Sequence, residues 1–440
     1  MSDRTLDLAG IGIGPFNLSL AAQLDSIAEM QVRFFDKRPN FSWHPGMLLP
    51  GAELQTSCLK DLVTATNPTS PWSFLAYLVA HKRFYTFMNA EFDAIPRQEF
   101  ANYLAWVAGS LEALSFSKPV RELAFERDAF TVRFDDGETI PARNVALGIG
   151  LSPYVPSWAK LALGETCFHA SEATRWLPTL NARRVVVIGG GQSGAEIFLT
   201  LLSRDPPAAE LSWISRRPNF EPLDATPFTN ELFTPDYVAN FRQLGEERRH
   251  ATVARHKLAG DGASPSTLLA IYRRLYALRH LEGSESETAL MPHREVIQME
   301  RQKNEYRLIM RNGFDGGLEI VHADAVVLAT GYAFQIPDFL QPLRERIQYD
   351  RQGNFQLADD FSLAWDGPRQ NRIFALNAGK HSHGIAEPQL SLMAWRSATI
   401  VNALLGRSHF DLDLPEPLVN WASLGGLQQK AVGAPLASDG

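Results

Sequence analysis

The chain has 440 residues, of which 45% are hydrophobic and 21% are charged, and its formal net charge is -7 at pH 7. This length predicts two or three domains, and the composition is typical of a globular protein rather than a disordered or fibrous one. The net charge argues against nucleic acid or an anionic membrane as the main partner, because both require a basic surface. The two cysteines, Cys58 and Cys167, lack the spacing of a metal site or of a redox pair, which predicts reduced thiols in a cytoplasmic protein without a bound metal.

The N-terminal segment alternates strand and helix around a glycine-rich turn. Thr5–Ala9 is a predicted strand, Asn17–Ile27 has the apolar spacing of a helix, and Gln31–Asp36 is a second predicted strand. Glycine, proline and polar residues interrupt the apolar stretch Leu6–Leu24, so it does not predict a membrane span. A β-α-β order within about 30 residues predicts a parallel sheet of the dinucleotide-binding type.

The next part of the chain combines a long loop, helices and a hairpin. The segment Phe41–Thr69 has no periodicity and is rich in proline, glycine and threonine, which predicts an ordered loop of the kind that often carries function. Two helices are predicted after it, followed by two strands around the Asp136–Gly137 turn. The predicted helices are Pro71–His81 and Arg97–Leu114, and the predicted strands are Ala129–Phe134 and Thr139–Leu147.

A second β-α-β unit begins at Arg183. The predicted strand Val185–Ile188 leads into a glycine-rich turn and a helix to Leu202, and Leu211–Ser215 is the next predicted strand. The chain from Thr226 to His280 has mostly helical spacing, which predicts a helical subdomain. The remaining predictions are strands at Glu305–Met310, Ala323–Ala329 and Arg369–Leu376, a helical stretch at Gln389–Leu405, and a loose polar tail after Ala431.

Two glycine-rich turns between strand and helix predict two nucleotide sites. Such a turn lets a pyrophosphate approach the backbone at a helix N-terminus, where N–H groups and the helix dipole favour negative charge. One turn alone would be weak evidence, but chance does not account well for two in separate β-α-β units. The first turn contains Gly10, Gly12, Gly14 and Pro15, with proline at the position of the usual third glycine, and the second contains Gly189, Gly191, Gln192, Ser193 and Gly194.

The residues that follow the second strand of each unit differ in charge. A carboxylate at this place binds a ribose 2′-hydroxyl, whereas a cation favours a 2′-phosphate. Asp36 therefore predicts the adenosine of FAD in the first site, and Arg216 with Arg217 predicts NADPH in the second. The alternative for the two arginines is a solvated surface pair. Two dinucleotide sites without a CxxC pair predict hydride transfer from NADPH to a flavin, without a redox disulfide.

These observations predict an α/β fold with two Rossmann-like dinucleotide-binding domains, one for FAD and one for NADPH, and a small helical substrate region. We predict that residues 1–170 form the first part of the FAD domain. Residues 171–325 would form the NADPH domain, with the helical insertion at about 225–280. Residues 326–440 would complete the FAD domain and end in the C-terminal tail, which makes that domain discontinuous.

Several stretches form a recognisable pattern in order along nearly the whole chain. They are Gly10–Asn17, Phe41–Met47, Gln55 with Leu59–Val63, Asn67–Pro71, Gly189–Glu196, Ala329–Tyr332 and His383–Leu392. Together they resemble the N-hydroxylating flavin monooxygenases of hydroxamate siderophore synthesis, the lysine and ornithine N-hydroxylases. Within that family the chain is most similar to the lysine N6-hydroxylases of aerobactin-type pathways.

The resemblance implies that NADPH reduces FAD, that O2 adds to the flavin C4a, and that the hydroperoxide transfers its distal oxygen to an amine. The implied substrate is L-lysine, with L-ornithine or a diamine such as cadaverine or putrescine as the alternative, and the implied assembly is a homotetramer. The reacting amine must be neutral. Because the pKa of a lysine amine is about 10.4, deprotonation at pH 7.4 costs about 4 kcal/mol, so the pocket has to lower that pKa.

The resemblance also implies roles for individual residues. Lys60 would pair with the α-carboxylate of an amino acid, whereas the alternative is a surface lysine beside Asp61. Asn230 and Ser391 would otherwise be capping or loop residues. The implied catalytic residues are Lys60, Asn230 and Ser391, and the implied substrate-binding residues are Gln55, Lys60, Asn230, Leu232, Phe233, Ser391 and Leu392. Besides the two turns and the charged residues after the strands, the implied cofactor-binding residues are Lys37, Trp43, His44, Gln55, Val120, Thr330, Gly331, Tyr332 and Leu390.

One departure from the family pattern bears on the substrate. Ornithine hydroxylases carry an Asn-Tyr-Ser element before the helix predicted at Ser266–Tyr276, whereas this chain has Gly260–Ser264 there. This argues against ornithine and leaves the contact to the ω-amine unassigned. Relatives that act on diamines tend to have alanine at the position of Lys60, so the lysine favours an amino acid.

Overall fold

The computed structural model describes residues 5–423, in which a mixed sheet of seven strands and a parallel sheet of five strands are covered by helices. The strands, in chain order, are β1 (Leu6–Ile11), β2 (Val32–Phe35), β3 (Leu114–Ser115), β4 (Val120–Glu126), β5 (Ala129–Phe134), β6 (Thr139–Leu147), β7 (Ser152–Pro153), β8 (Cys167–His169), β9 (Arg184–Ile188), β10 (Glu210–Ile214), β11 (Glu287–Met291), β12 (Arg294–Gln302), β13 (Glu305–Asn312), β14 (Leu318–Ala323), β15 (Ala325–Leu328), β16 (Tyr332–Ala333) and β17 (Ile373–Ala375). The helices are α1 (Pro15–Leu24), α2 (Phe74–Ala80), α3 (Phe84–Asn89), α4 (Arg97–Ser110), α5 (Ala173–Trp176), α6 (Gln192–Leu202), α7 (Pro227–Asn230), α8 (Pro235–Arg242), α9 (Glu246–Arg255), α10 (Pro265–His280), α11 (Lys380–His383) and α12 (Met393–Leu405). The predicted α/β fold with two Rossmann-like units and a helical region is confirmed.

The first sheet has the strand order β3-β2-β1-β6-β5-β4, and β17 pairs with β6. β1 is parallel to both β2 and β6, while β4, β5 and β6 form an antiparallel meander that includes the predicted hairpin. Helices α1, α4 and α12 pack together over one face of this sheet. The late strand β17 is fully buried, so the C-terminal part of the described chain returns to the first sheet.

The second sheet has the strand order β11-β10-β9-β15-β8, and all of its strands are parallel. Its central strands are continuous apolar runs, as expected for strands buried on both faces. The strands β8 and β15 belong to this sheet, whereas the predicted boundaries at 170/171 and 325/326 would place them largely in the FAD domain. If the domains are divided by sheet membership, the NADPH domain therefore begins a few residues before 171 and ends a few residues after 325.

The region between the second sheet's strands β10 and β11 is helical, as the sequence predicts for Thr226–His280. Leu232, Tyr237 and Phe241 form its small core together with Val253 and Ile385. A separate antiparallel sheet, β12-β13-β14, follows. Among residues 5–423, no helix combines the length and the apolar character needed to cross a bilayer.

Some elements differ from the sequence prediction. The helix predicted to reach Leu114 ends at Ser110, because Leu114–Ser115 pairs with Phe34 and Phe35 as the edge strand β3. The last helix begins at Met393 rather than Gln389, after a single 3-10 turn. The elements without a counterpart in the sequence prediction are α3, α5, α11, β4, β7, β8, β11, β12, β14 and β16. The tail after Ala431 lies outside the described residues.

Candidate active site

The first glycine-rich turn joins β1 to α1 and presents the N-terminus of that helix. Pro15 is the first helical residue, a position that suits proline because an N–H there would have no partner within the helix. The N-cap residue Gly14 has no side chain to cap the helix, and the first turn of α1 contains no acidic residue. Gly12 has φ +84°, and a Cβ atom there would lie 2.6 Å from the carbonyl oxygen of Gly148. The turn therefore leaves the positive end of the helix open to a phosphate.

Asp36 follows β2 beside this turn and is buried. Its carboxylate accepts a hydrogen bond of 2.7 Å from the Ile13 N–H and three bonds of 2.7, 2.8 and 3.0 Å from Arg38. Burial alone would raise the pKa of Asp36, but the hydrogen bonds and the charge of Arg38 lower it, so the carboxylate is ionised. These bonds occupy its acceptor positions, so the predicted bond to a ribose hydroxyl requires Arg38 to release one of them.

The second turn joins β9 to α6 and has the same construction. Gly189 has φ +134°, and a Cβ atom there would lie 2.0 Å from the carbonyl oxygen of Ala329. A Cβ atom on Gly194 would lie 2.0 Å from the carbonyl oxygen of Gly189, so only glycine lets the helix pack this closely on the strand. The N-cap residue Gly191 likewise has no side chain to cap the helix, and the first turn of α6 has no acidic residue. This turn also fits a phosphate.

The two arginines that follow β10 have different surroundings. Arg216 is exposed and forms no ion pair within the described part of the chain. Arg217 is mostly buried, and its Nη2 lies 2.8 Å from Asp261 Oδ1, close to Gly190 and Gly191. The sequence predicted that both arginines would serve a 2′-phosphate, whereas in the structure Asp261 neutralises one of them.

The loop between β2 and α2 brings aromatic side chains against the end of β15. His44 has a left-handed backbone conformation (φ 44°), and its ring contacts Trp43 and Tyr332 edge-on, with centroid distances of 5.4 and 5.9 Å. Tyr332 also contacts His169, whose Nε2 lies 3.0 Å from the Gly331 carbonyl oxygen. Burial is the main cause that lowers the pKa of His44 to about 4, so the ring is neutral at pH 7. These residues connect the loop after the first nucleotide turn to the sheet that carries the second.

Lys60 lies in the same loop, half-buried and without a carboxylate partner. Its Nζ forms neither a hydrogen bond nor an ion pair with the residues that the structure describes, and burial lowers its pKa. The neighbouring Asp61 is 1% exposed, and its oxygens accept hydrogen bonds from the N–H groups of Val63, Thr64 and Phe74. The alternative of a surface lysine paired with Asp61 therefore does not fit this geometry. The charge of Lys60 has no anionic partner among the described residues and is available to an anionic ligand.

Residues from the C-terminal part of the described chain reach the same loop. Ser391 Oγ lies 3.4 Å from Thr56 Oγ1, so the 3-10 turn that contains Ser391 adjoins the turn that leads into Lys60. Phe233 from the helical region packs against a small cluster that includes Leu392. The structure thus brings together predicted substrate residues from three distant parts of the chain.

Two other residues predicted at the substrate differ in exposure. Asn230 ends α7, is exposed, and has a side chain without a hydrogen bond to the described residues. Leu232 is 6% exposed and belongs to the core of the helical region. Asn230 is thus available to a ligand, whereas Leu232 stabilises the element that presents it.

The remaining predicted cofactor residues have different surroundings. Lys37 and Gln55 are exposed, and Val120 begins β4 just after residues that hydrogen-bond to the end of β2. Leu390 packs against the core of the first sheet. The hydroxyl of Thr330 donates a hydrogen bond to the carbonyl oxygen just after β7.

An ion pair that the sequence analysis did not identify joins the two units. Arg97, at the start of α4, donates hydrogen bonds of 3.0 and 2.6 Å to Glu196 in α6. Gln192 donates a bond of 2.8 Å to Glu196 and accepts one of 2.6 Å from the Ser264 N–H. The sequence signal for Glu196 was its acidic side chain on the buried face of α6. No local pattern connects Glu196 with Arg97, which lies 99 residues earlier.

One group of side chains has spacing that could hold a metal ion. Ligand atoms of Glu246, His250 and Asp350 lie within 4.8 Å of one another. Asp350 already accepts hydrogen bonds from the backbone and side-chain N–H groups of Asn354, and Arg249 adds a positive charge to the same helix. We therefore assign no metal to this group.

A buried polar network holds the segment before α12. Arg396 and Glu387, each 1% exposed, form an ion pair of 3.0 Å, and Glu387 accepts further hydrogen bonds from two backbone N–H groups. His383 is 1% exposed, and its Nε2 accepts a hydrogen bond of 2.9 Å from Arg242. Burial, followed by the charges of Arg242 and Arg396, keeps the pKa of His383 well below its usual range.

We expect His383 to make the folded protein sensitive to acid. Its ring is neutral in the folded state but titrates near pH 6.5 in the unfolded chain, so stability from this position is complete above pH 6.5 and falls as the pH drops toward the lower folded-state pKa. The loss is at most about 1.4 kcal/mol per pH unit. His383→Gln keeps an acceptor for Arg242, so it should reduce the change in unfolding free energy between about pH 7.5 and pH 5.5. Urea denaturation at both pH values measures this change, and an equal pH dependence in both proteins would contradict the prediction.

Two glycine-rich turns at helix N-termini, one on each of the two large sheets, together with an aromatic loop between them, are typical of an oxidoreductase of the two-dinucleotide class. A sequence profile of the L-lysine 6-monooxygenase/L-ornithine 5-monooxygenase family matches residues 4–334, and the chain belongs to this family. The resemblance stated from the sequence motifs is confirmed.

Individual relatives match over nearly their whole length. The chain is 44% identical over 423 residues to the L-lysine N6-monooxygenase of Escherichia coli, which covers 96% of this chain and 99% of that protein. The structure of DfoA bound to FAD, the cadaverine monooxygenase of desferrioxamine biosynthesis in Erwinia amylovora, superposes with a TM-score of 0.90 at 30% identity, over 96% of this chain and 99% of that one. The ornithine N-hydroxylase KtzI of Kutzneria sp. 744, in complex with reduced FAD, NADP+ and L-ornithine, superposes with a TM-score of 0.85 at 29% identity, over 92% and 99% of the two chains.

Proposed function

We propose that this chain is an FAD- and NADPH-dependent monooxygenase for hydroxamate siderophore synthesis. It converts L-lysine, NADPH, a proton and O2 to N6-hydroxy-L-lysine, NADP+ and water. Family membership and the identity to a lysine-acting relative support this reaction. The observation that carries the choice of an amino acid over a diamine is Lys60, a half-buried cation without an anionic partner in the described residues.

The two nucleotide turns fit the two coenzymes. The open N-terminus of α1 would hold the FAD pyrophosphate, and Asp36 with Arg38 would hold the adenosine end. The N-terminus of α6 and the arginines after β10 would hold NADPH. Bound FAD supplies the oxygen-activating chemistry after reduction by NADPH. Trp43, His44 and Tyr332 would provide aromatic surface that excludes water near the reacting group.

The loop of Lys60 would hold the substrate. The ammonium of Lys60 would bind the α-carboxylate of L-lysine through a charge-assisted hydrogen bond, and Asn230 and Ser391 would add polar contacts. Gln55, Phe233 and Leu392 complete the proposed substrate surface. The substrate amine has to be neutral to react, and the exclusion of water lowers its pKa.

We also propose a discontinuous FAD domain and an inserted NADPH domain, as predicted with 1–170 and 326–440 for FAD and 171–325 for NADPH. Because β8 and β15 pair within the second sheet, we move both boundaries by a few residues so that these strands belong to the NADPH domain. We further propose a homotetramer located in the cytoplasm. Light scattering of the purified protein and fractionation of the cells that produce it test these two statements.

A panel of amines tests the function. The FAD-loaded enzyme is supplied with NADPH and with L-lysine, L-ornithine, cadaverine or putrescine, and hydroxylamine formation is compared with NADPH consumption. We expect the two to match with L-lysine, while the diamines mainly produce uncoupled NADPH oxidation. Matched turnover with cadaverine alone would contradict the choice of substrate, and NADPH oxidation without any hydroxylated amine would contradict oxygenation.

A further inference from the structure

A carboxylate lies at the phosphate cradle of the second nucleotide turn. Asp261 Oδ1 is 3.5 Å from the position that a Cβ atom on Gly191 would occupy, and 2.8 Å from Arg217 Nη2. Gly191 is the N-cap of α6, whose first turn has no acidic residue of its own. The carboxylate therefore lies where the positive end of a helix and an arginine both favour an anion. A coenzyme phosphate would meet the same two groups.

Arg217 is fixed in a position that presents its charge. Its side chain is 11% exposed, its N–H donates a hydrogen bond of 3.1 Å to Ser215 Oγ, and its carbonyl oxygen accepts one of 2.6 Å from the His293 N–H. Its Nη1 is buried and has no hydrogen-bond partner among the described residues. One nitrogen of the guanidinium is thus paired with Asp261 while another lacks an acceptor, which a phosphate oxygen would supply.

The backbone on the C-terminal side of Asp261 is anchored, whereas its side chain is half-exposed and is held by ion pairs with Arg217 and with the exposed Lys257, whose Nζ lies 3.9 Å from Asp261 Oδ2. The carbonyl oxygen of Ala263 accepts a hydrogen bond of 2.7 Å from the Leu223 N–H, and the Ser264 N–H donates one of 2.6 Å to Gln192. The Asp261 side chain is 52% exposed. Its carboxylate can therefore rotate into solvent while the loop stays in place.

We propose that Asp261 is an internal competitor for phosphate and sets the affinity of the protein for NADPH. In the coenzyme-free protein its carboxylate neutralises Arg217, and the coenzyme binds by displacing it. This inference rests on the proposed NADPH site and adds the residue that regulates it. A carboxylate and a phosphate repel each other at one guanidinium, so binding includes the loss of the ion pair. Both the 2′-phosphate and the pyrophosphate of the coenzyme have the chemistry to take its place.

Removal of the competitor should tighten coenzyme binding. We expect Asp261→Asn and Asp261→Ala to lower the Kd for NADP+ about fivefold, the scale of a partly exposed ion pair. Titration calorimetry on the FAD-loaded protein at low salt measures the Kd without turnover. Arg217→Ala should weaken binding, and the double variant Arg217→Ala/Asp261→Ala should show no gain over Arg217→Ala, because the two residues act as one pair.

Asp366→Asn is the matched control, because Asp366 is an exposed aspartate paired with Arg346 at 2.7 Å and lies outside both nucleotide turns. It should leave the Kd for NADP+ unchanged. A gain in the Asp261 variants that is confined to NADP+ assigns the displacement to the 2′-phosphate, and an equal gain with NAD+ assigns it to the pyrophosphate. Unchanged or weaker NADP+ binding in these variants overturns the proposal. If the unaltered protein binds no NADP+ at all, the proposed function falls with it.

Discussion

Gly12→Ala should give a folded protein that retains little FAD. A Cβ atom at this position would lie 2.6 Å from the carbonyl oxygen of Gly148 and 2.9 Å from its carbonyl carbon, and neither backbone atom can move aside like the end of a side chain. The left-handed conformation of Gly12 adds about 1 kcal/mol for any other residue. The turn must then shift and carry the N-terminus of α1 with it. A loss of two phosphate hydrogen bonds, about 1.5 kcal/mol each, weakens FAD binding about 100-fold or more.

Flavin absorbance after purification and FAD titration of the stripped protein measure this loss. Gly353→Ala is the matched control, because Gly353 has φ +83° but no atom lies within 4 Å of its Cβ position. It carries the same backbone strain without the clash and should retain FAD. NADP+ binding should persist in Gly12→Ala, since the second turn belongs to the other sheet. A full FAD content in Gly12→Ala would argue that the first turn does not bind the flavin nucleotide.

The parts of the fold that were predictable from the sequence are those whose signals are local. The apolar runs of β1 and β9 and the glycine turns after them lie within a few residues of one another, and they determine both β-α-β units. β3 was missed because two residues become a strand only through pairing with Phe34 and Phe35. β12 and β14 were missed because their polar, partly exposed sequences depend on β13 between them.

The charged residues of the site were found by their position after a strand, but their partners in the protein were not. Asp36 is held by Arg38 two residues later, and Arg217 by Asp261 in a loop that reaches it from the helical region. Whether such a loop arrives at the phosphate cradle depends on the packing of α10 on α6, which no sequence spacing shows. The sequence therefore predicted which groups could bind phosphate, and the structure adds the protein groups that they contact.

For Lys60 too, the sequence identifies the residue, whereas only the structure shows its surroundings. The sequence places it beside Asp61, and an ion pair and a substrate contact stay alternatives there. The structure shows that Asp61 is already hydrogen-bonded by the Thr64 hydroxyl and by the backbone N–H groups of Val63, Thr64 and Phe74, which no sequence pattern reveals. The proximity of Ser391 depends on the return of the C-terminal segment to the first sheet. Both facts favour a site assembled for a substrate that carries its own carboxylate.

Lys60→Ala should therefore raise the KM for L-lysine strongly while leaving FAD bound. The ammonium pairs with no group among the described residues, so its removal costs no internal ion pair, whereas the substrate loses a charged hydrogen bond of about 2 to 3 kcal/mol, or about 30- to 150-fold in affinity. Steady-state kinetics with product detection measures the change, and Lys60→Arg should recover part of it. Cadaverine has no carboxylate, so any turnover with it should have the same KM in both proteins. The exposed Lys160→Ala is the control for loss of a positive charge. An equal rise in KM for L-lysine and cadaverine would mean that Lys60 supports the loop rather than the substrate carboxylate.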